Sequence, residues 1–113
     1  MDTEPLIVVL CTVPDTATAG RLARLLVEER LAACVNVIPG LTSIYRWKGA
    51  VEEDPEALLL IKTRGGTFEA LRARLVAEHP YETPEVVALP VEAVDGAYAR
   101  WLLEQTARGE SAS

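Results

Sequence analysis

A lone histidine with acidic neighbours is the first feature of this sequence that can do chemistry. His79 is the only histidine of the chain; Glu78 precedes it, and Glu82 and Glu85 follow shortly after. Imidazole nitrogen and carboxylate oxygen both coordinate divalent ions, so these residues are candidate metal ligands. The alternative is that the helix C-terminus favours a protonated imidazole and that the carboxylates are solvated charges. One histidine also falls short of the four protein ligands that a structural zinc site usually has.

A second candidate site is a run of aromatic and basic residues at the point where two long strands meet. Aromatic walls and two cations suit a cleft for a small anion or a carboxylate. Aromatic residues and Arg are also common in subunit interfaces, so packing between copies of the chain, with Trp47 as anchor, is the alternative. Both interpretations hold if the cleft lies between subunits. The candidate ligand cleft consists of Tyr45, Arg46, Trp47, Lys48, Tyr81 and Glu85.

Patterns of nucleophilic catalysis are missing from the sequence. Ser43 lies in a predicted strand, and there is no second histidine to form a relay. Gly65-Gly66 precedes a predicted helix but lacks the Lys-Ser/Thr pair of a phosphate-binding loop. We therefore expect a protein that is not an enzyme.

The composition indicates one acidic domain with a substantial core. The chain has 113 residues, 50% of them hydrophobic, and a formal net charge of -6 at pH 7. We expect a single domain over residues 1–113, with an ordered core at about 6–106 and polar tails at both ends. An acidic surface disfavours nucleic acid and anionic membranes as partners. We expect neither a membrane span nor a signal peptide, and we interpret Cys11 and Cys34 as reduced thiols of a cytoplasmic protein.

Apolar patterning and capping residues predict the first elements of the fold. Leu6–Val13 has apolar residues at both its odd and its even positions, which is typical of a central strand covered on both faces. Asp15 then caps a helix whose apolar stripe includes Leu22, Ala23 and Leu26.

A long β-hairpin occupies the middle of the chain. Its arms, Ala33–Trp47 and Ala50–Thr63, flank Lys48-Gly49, and Gly accepts the positive φ that a two-residue turn requires. Pro39-Gly40 interrupts the first arm, which places that strand at an edge or at a bulge. The arms exceed the usual strand length of about 5–6 residues, and an isolated hairpin is marginal in water. We therefore expect other copies of the chain to bury it.

The rest of the chain repeats the pattern of helix and strand. Thr67 is the predicted cap of a second helix, which ends at His79-Pro80. The apolar face of that helix consists of Phe68, Leu71 and Leu75. The run VVALPV contains Pro90 and is therefore predicted to be an edge strand. Asp95 caps a short last helix. One side of that helix carries Tyr98, Trp101 and Leu102.

This order of elements predicts an α+β fold, the ferredoxin-like βαββαβ plait, with a long hairpin between its second and third strands and a short C-terminal helix. The two proline-free apolar runs, Leu6–Val13 and ALLLIKT of the second arm, take the centre of an antiparallel sheet, and the two proline-bearing strands, with Pro39 and Pro90, take the edges. The predicted order is second, third, first and fourth strand. Both long helices then cover one face. The hairpin and the last helix, from this chain or a neighbour, are available to cover the other.

Several segments resemble the CutA family of divalent-cation tolerance proteins. They are LCTVPDTATA, ERLAACVNVIPGLTSIYRWKG, EDPEALLLIKT, HPYETPEVVALPV and YARWL, and the similarity runs from Leu6 to Thr106. The resemblance implies a ferredoxin-like fold and a tight homotrimer in which the long hairpins pair with neighbouring sheets. Such an architecture is similar to that of the PII nitrogen-signalling proteins, whose ligand sites lie in clefts between subunits.

The resemblance also implies a set of metal ligands. Bacterial members of the family are linked to copper through a cysteine of the first strand and a histidine pair before the PYxTPE loop. Cys11 matches the cysteine and His79 the second histidine, whereas Glu78 stands where the first histidine would be. Glu is a harder ligand, suited to Mg²⁺, Ca²⁺ or Mn²⁺ and acceptable to Zn²⁺. The expected cofactor is a weakly bound divalent ion, Cu²⁺ or Zn²⁺; the alternative for Cys11 is an inert core thiol.

Two functions are compatible with these features. The first is a cytoplasmic homotrimer that serves divalent metal ion tolerance and homeostasis by binding divalent cations weakly. The alternative is a PII-like signalling or interaction module that binds a small anionic ligand in clefts between subunits. Neither function involves nucleic acid or a membrane.

Overall fold

Four strands form one antiparallel sheet in the order β2-β3-β1-β4. The structure is a computed structural model, and it describes residues 4–107. The strands are β1 (Leu6–Val13), β2 (Cys34–Trp47), β3 (Ala50–Arg64) and β4 (Val87–Pro90), and the helices are α1 (Thr16–Glu28), α2 (Phe68–Glu78) and α3 (Gly96–Gln105). The predicted α+β fold and strand order are confirmed. Part of the predicted N-terminal tail and the tail at Gly109–Ser113 lie outside the described residues.

The central position of β1 follows from its apolar residues on both alternations. It pairs antiparallel with β3 along its whole length and with β4 on its other side. On one face Val9, Cys11 and Val13 are fully buried under α1 and α2. The helical leucines of this core are Leu22, Leu26, Leu71 and Leu75. Both long helices thus cover one face, as predicted.

Side-chain caps begin two of the three helices. The Asp15 carboxylate accepts a hydrogen bond from the Thr18 N–H at 2.7 Å, and Asp95 accepts one from the Tyr98 N–H at 3.2 Å. The predicted cap at Thr67 was wrong, because its side chain makes no capping hydrogen bond. Thr67 belongs to a short 3-10 turn and already has helical backbone angles, whereas a capping residue needs an extended backbone.

The hairpin has a tight turn and one bulge, both at glycine-containing pairs that the sequence singled out. Lys48 and Gly49 have φ angles of 51° and 84°, so both central residues are left-handed, as a primed two-residue turn requires. The register shifts between Ile38 and Leu41, and Gly40 has a φ of 80°. Two residues of β2 therefore stand opposite one residue of β3, which is a β-bulge.

Beyond this bulge the hairpin extends from the sheet as a two-stranded arm, residues 41–56. Ile44 and Val51 are 66% and 64% exposed there, and Trp47 near the turn is 44% exposed. The arm makes the molecule elongated, with extents of 50 × 28 × 23 Å. These apolar side chains are exposed on the single chain, and their burial by another copy stays a prediction.

The short helix α3 packs at one end of the second face of the sheet. Leu102 is buried with Leu6 and Ala33, and Leu6 points away from the α1–α2 core because side chains alternate along a strand. Tyr98 and Trp101 remain 37% and 40% exposed, so only Leu102 of the predicted side is buried. Among residues 4–107, none of the helices is both long and apolar enough to span a bilayer.

Candidate functional site

A groove lies between the hairpin arm and the loop that follows α2. It has a volume of about 1030 Å³ and is open to solvent, and the end of β1 also contributes to its wall. Its charged and aromatic lining residues are Tyr45, Trp47, Asp54, Glu56, Tyr81, Glu82 and Glu85. We call this cavity the acidic groove. Its size falls at the upper end of the range that small-molecule sites occupy, roughly 300–1000 Å³.

The register of the hairpin arm brings a tyrosine and an aspartate together in the groove. Ser43 pairs with Asp54 and Tyr45 with Glu52, so Tyr45 and Asp54 are diagonal neighbours on one face. The Tyr45 hydroxyl donates a hydrogen bond to the Asp54 carboxylate. This hydrogen bond, with a smaller effect of burial, raises the pKa of Tyr45 to about 12. The phenol therefore remains a protonated donor at neutral pH.

The loop after α2 supplies a second tyrosine–carboxylate pair. The Tyr81 hydroxyl donates to Glu56 Oε2 at 2.5 Å, which ties the loop to β3. Burial, followed by the hydrogen bond to Glu56, raises the pKa of Tyr81 above its usual value. The ring of Tyr81 also packs beside His79, with ring centroids 4.7 Å apart. The loop wall is thus fixed by one polar and one ring contact.

The groove carries a concentrated negative charge. No Lys or Arg is among its lining residues, and no ion pair within residues 4–107 involves its carboxylates. Hydrogen bonds from phenols orient two of these carboxylates but do not neutralise them. A groove of this kind attracts cations and repels anions.

Comparison with known proteins identifies the family. The family model described as CutA1 divalent ion tolerance protein matches residues 7–105. The divalent-cation tolerance protein CutA of Thermus thermophilus is 57% identical over 99 residues, covering 88% of this chain and 96% of its own length. The crystal structure of CutA1 from Oryza sativa has a TM-score of 0.90 at 46% identity, covering 92% of this chain and 95% of that one.

The chain belongs to the CutA1 family. The resemblance drawn from the sequence motifs is confirmed. A further relative, the chloroplastic protein CutA of Arabidopsis thaliana, is 46% identical over 104 residues, which are 92% of this chain and 57% of that protein. This chain therefore spans a little over half the length of the plant relative.

His79, one of the predicted metal ligands of this CutA1-family chain, is buried and hydrogen-bonded. It is 8% exposed, and both ring nitrogens have partners. Nδ1 accepts a hydrogen bond from the Tyr81 N–H at 3.1 Å, so the ring proton is on Nε2, which donates to the Thr12 carbonyl at 2.8 Å. A metal ion would have to displace one of these two hydrogen bonds.

The other two predicted ligands, Glu78 and Cys11, are also engaged elsewhere. Glu78 forms ion pairs with Arg21 at 3.3 Å and Arg74 at 2.9 Å. Burial, with the negative charges of Glu85 and Glu56, raises the pKa of the Cys11 thiol to about 12, so the thiol stays protonated. Within residues 4–107 no three His, Cys, Asp or Glu side chains are grouped to hold a metal ion. In this conformation the three predicted ligands do not fit a bound metal.

The predicted ligand cleft is only partly assembled. Tyr45, Trp47, Tyr81 and Glu85 line the acidic groove, whereas Arg46 and Lys48 do not. The Lys48 ammonium lies instead 6.0 Å from the centre of the Trp47 ring. The structure thus joins the aromatic part of the prediction to acidic residues rather than to the two cations.

Sequence reasoning missed the acidic residues of β3. Asp54 and Glu56 lie in the second hairpin arm, for which the sequence predicted only a strand. Counting outward from the Lys48-Gly49 turn places Asp54 opposite Ser43, beside Tyr45. The turn signal therefore contained the information that would have identified this wall of the groove.

Proposed function

We propose that this CutA1-family protein serves divalent-cation tolerance as a cytoplasmic homotrimer that binds divalent cations weakly at the acidic groove. The observation that carries the proposal is the set of groove carboxylates without a cationic partner among the described residues. A negative, solvent-open groove concentrates small cations from solution. Family membership supports the same conclusion, since the Thermus thermophilus relative is named a divalent-cation tolerance protein.

Weak binding follows from the spacing of the ligating groups. The described residues hold no compact trio of ligating side chains, so an ion keeps most of its water and is attracted mainly by charge. The sequence-based set of Cys11, Glu78 and His79 remains a prediction for Cu²⁺ or Zn²⁺. Its use would require the His79 ring to release Thr12 or Tyr81, and Cys11 to lose its proton.

Equilibrium dialysis with Cu²⁺, Zn²⁺ and Mg²⁺ tests which residues bind the ion. Glu82→Gln/Glu85→Gln removes two groove charges and is expected to weaken binding. Glu92→Gln/Glu104→Gln removes two exposed charges outside the groove and is the matched control. If the groove variant binds like the control while His79→Asn abolishes binding, the groove proposal is refuted and the sequence-based ligand set is supported.

Trimer formation is supported by the exposed apolar side chains of the hairpin arm and by the open part of the sheet face. Val87 and Leu89 on the edge strand β4 are 46% and 45% exposed, which adds to the apolar surface of the arm. Closed association of identical chains buries such surface and caps the edge strands. Sedimentation equilibrium at low micromolar concentration should give about three times the chain mass of 12.3 kDa. A monomer at that concentration would contradict the assembly.

A cytoplasmic setting is supported by the two thiols. Cys11 and Cys34 are both free, and reduced thiols are usual in that compartment. Cell fractionation with a tagged full-length chain tests the compartment, and recovery from an exported fraction would overturn it. No observation on the described residues favours a small anion in the groove, so the PII-like alternative is not proposed.

A further inference from the structure

The short helix α3 is held to the sheet by little apolar surface. Leu102 is its one buried residue, at 2% exposed, and it packs on Leu6 and Ala33. Tyr98 and Trp101 stay 37% and 40% exposed. A helix of 10 residues is shorter than the roughly 12–15 residues below which an isolated helix is marginal in water. Polar contacts must therefore contribute to keeping α3 folded and docked.

Two arginines from other elements bind the C-terminal turn of α3. Arg64, the last residue of β3, donates from Nε to Thr106 Oγ1 at 3.0 Å and from Nη2 to the Leu103 carbonyl. Arg30, in the connection between α1 and β2, donates from Nη1 to the Gln105 carbonyl at 3.0 Å. The last carbonyls of a helix lack partners within the helix, and cations are favoured at that end. Both guanidinium groups therefore stabilise the docked helix.

Glu4 orients one of these arginines. Its Oε1 accepts a hydrogen bond from Arg64 Nη1 at 2.9 Å, and its Oε2 accepts one from the Gly66 N–H at 3.0 Å. The Arg64 and Glu4 side chains are 20% and 32% exposed, so salt screens their ion pair less than it would screen a pair on the open surface. Within residues 4–107 the hydrogen bonds of Glu4 go to Arg64 and Gly66, so an effect of Glu4 on α3 passes through Arg64.

The backbone of Arg30 supports the same interpretation. Its φ is 61°, in the left-handed region that follows many helices and that glycine adopts most easily. An arginine at this position carries backbone strain that glycine would avoid. The contact of its side chain with the Gln105 carbonyl gives a physical reason for an arginine there.

We propose that Glu4, Arg30 and Arg64 form a terminal clamp that controls whether α3 is docked on the sheet. With the clamp closed, α3 covers Leu6 and Ala33 at one end of the second face of the sheet. When the clamp is released, α3 opens as a unit while the α1–α2 core stays folded, because the two groups of buried residues form separate clusters. The acidic groove takes no part in the clamp, so this inference does not depend on cation binding.

Hydrogen–deuterium exchange of the full chain, measured by mass spectrometry on peptides from α1, α2 and α3, tests the clamp. Arg64→Met removes the donors but keeps an unbranched side chain, and it should speed exchange in α3 about tenfold, with less than about twofold change in α1 and α2. Arg100→Met makes the same change on the exposed side of α3 and is the matched control, expected to stay within about twofold of the parent. Exchange of α3 in Arg64→Met as slow as in the control would overturn the proposal. Equal acceleration in all three helices would overturn it as well, because α3 would then open only with the whole fold.

Glu4→Gln tests the amino-terminal part of the clamp without a change in α3 or in either arginine. It should speed α3 exchange about threefold in the parent and have no further effect in Arg64→Met. An equal effect in both backgrounds would show that Glu4 does not act through Arg64 and would overturn the proposed clamp.

Arg30→Gly separates the clamp from the stability of α1. It relieves the left-handed backbone but removes the contact with Gln105, so exchange in α3 should rise about threefold while exchange at the end of α1 does not. Faster exchange in α1 with no change in α3 would show that Arg30 serves its own helix and would overturn its place in the clamp.

Discussion

Replacing His79 by alanine distinguishes a histidine that stabilises the fold from one whose only role is to bind a metal ion. The ring is almost fully buried, and it links the end of β1 to the loop wall of the acidic groove. If the ring is structural, its loss destabilises the protein even when no metal is present. If it serves only as a ligand, the metal-free protein should tolerate the change.

The expected magnitude follows from the contacts that His79→Ala removes. Two hydrogen bonds are lost, to the Thr12 carbonyl and from the Tyr81 N–H, and each contributes about 1 kcal/mol. The lost ring contacts add up to about 1 kcal/mol, since water can enter from the adjacent groove and limit the cavity term. We therefore expect the free energy of unfolding to fall by about 2–3 kcal/mol.

Urea unfolding followed by tryptophan fluorescence measures this change, with chelator present and protein concentration held constant. His79→Asn and His79→Gln are informative intermediates, because each amide can replace one ring nitrogen and should recover about 1 kcal/mol. Arg24→Ala, on the exposed side of α1, is the control and should stay within about 0.5 kcal/mol of the parent. A metal-free His79→Ala protein as stable as this control would refute the structural role.

Three further predictions address assembly, pH and capping. Trp47→Ala should weaken the trimer, making its melting temperature depend on concentration, whereas Lys48→Ala should stay within about 0.5 kcal/mol of the parent; a Trp47→Ala trimer of unchanged stability would show that the turn end of the arm is uncovered. Folding raises the pKa of Cys11 from 9.0 to about 12 and that of Tyr45 from 10.0 to about 12. The unfolded chain therefore releases these protons at lower pH than the folded chain does. As a result, the free energy of unfolding should fall as pH rises from about 9 toward 12. Urea midpoints across that range test this, and a Cys11→Ala profile as steep as the parent's between pH 9 and 10 would remove the thiol as a cause. Asp15→Ala should cost about 1 kcal/mol by removing the α1 cap, and Asp15→Asn should restore most of it; equal urea midpoints for both variants and the parent would contradict the cap.

The fold was predictable because several local signals agree with one sheet order. The doubly apolar run at Leu6–Val13 requires a central strand, and the prolines at 39 and 90 place their strands at the edges. Pro55 is tolerated in the central strand β3 because it lies in the part that pairs with β2 alone. The caps at Asp15 and Asp95 fix the starts of α1 and α3. The prediction of Thr67 as the cap of α2 was wrong because a 3-10 turn runs directly into that helix. The chain therefore passes from turn to helix without the extended residue that a cap needs.

The candidate metal set was less predictable, because residue type does not reveal which atoms are already hydrogen-bonded. His79 and Glu78 are adjacent in sequence, yet one points toward Thr12 and the other to the arginines at 21 and 74. Cys11 lies on the face of β1 under the helices, where burial keeps the thiol protonated. The three predicted ligands thus lie in three different environments.

The charge of the acidic groove depends on one extra residue in β2. Before the bulge, Ile38 pairs with Leu58, and after it, Leu41 pairs with Glu56. The pairing register of β2 against β3 therefore shifts by one residue. This shift places Tyr45 on the face of Asp54, where its hydroxyl reaches the carboxylate. Without the bulge, alternation would turn Arg46 toward that face instead, and a cation would neutralise the groove. The residues from Tyr45 to Lys48 are consecutive in sequence, but strand alternation divides them between two faces, and the bulge decides which face meets the acids of β3.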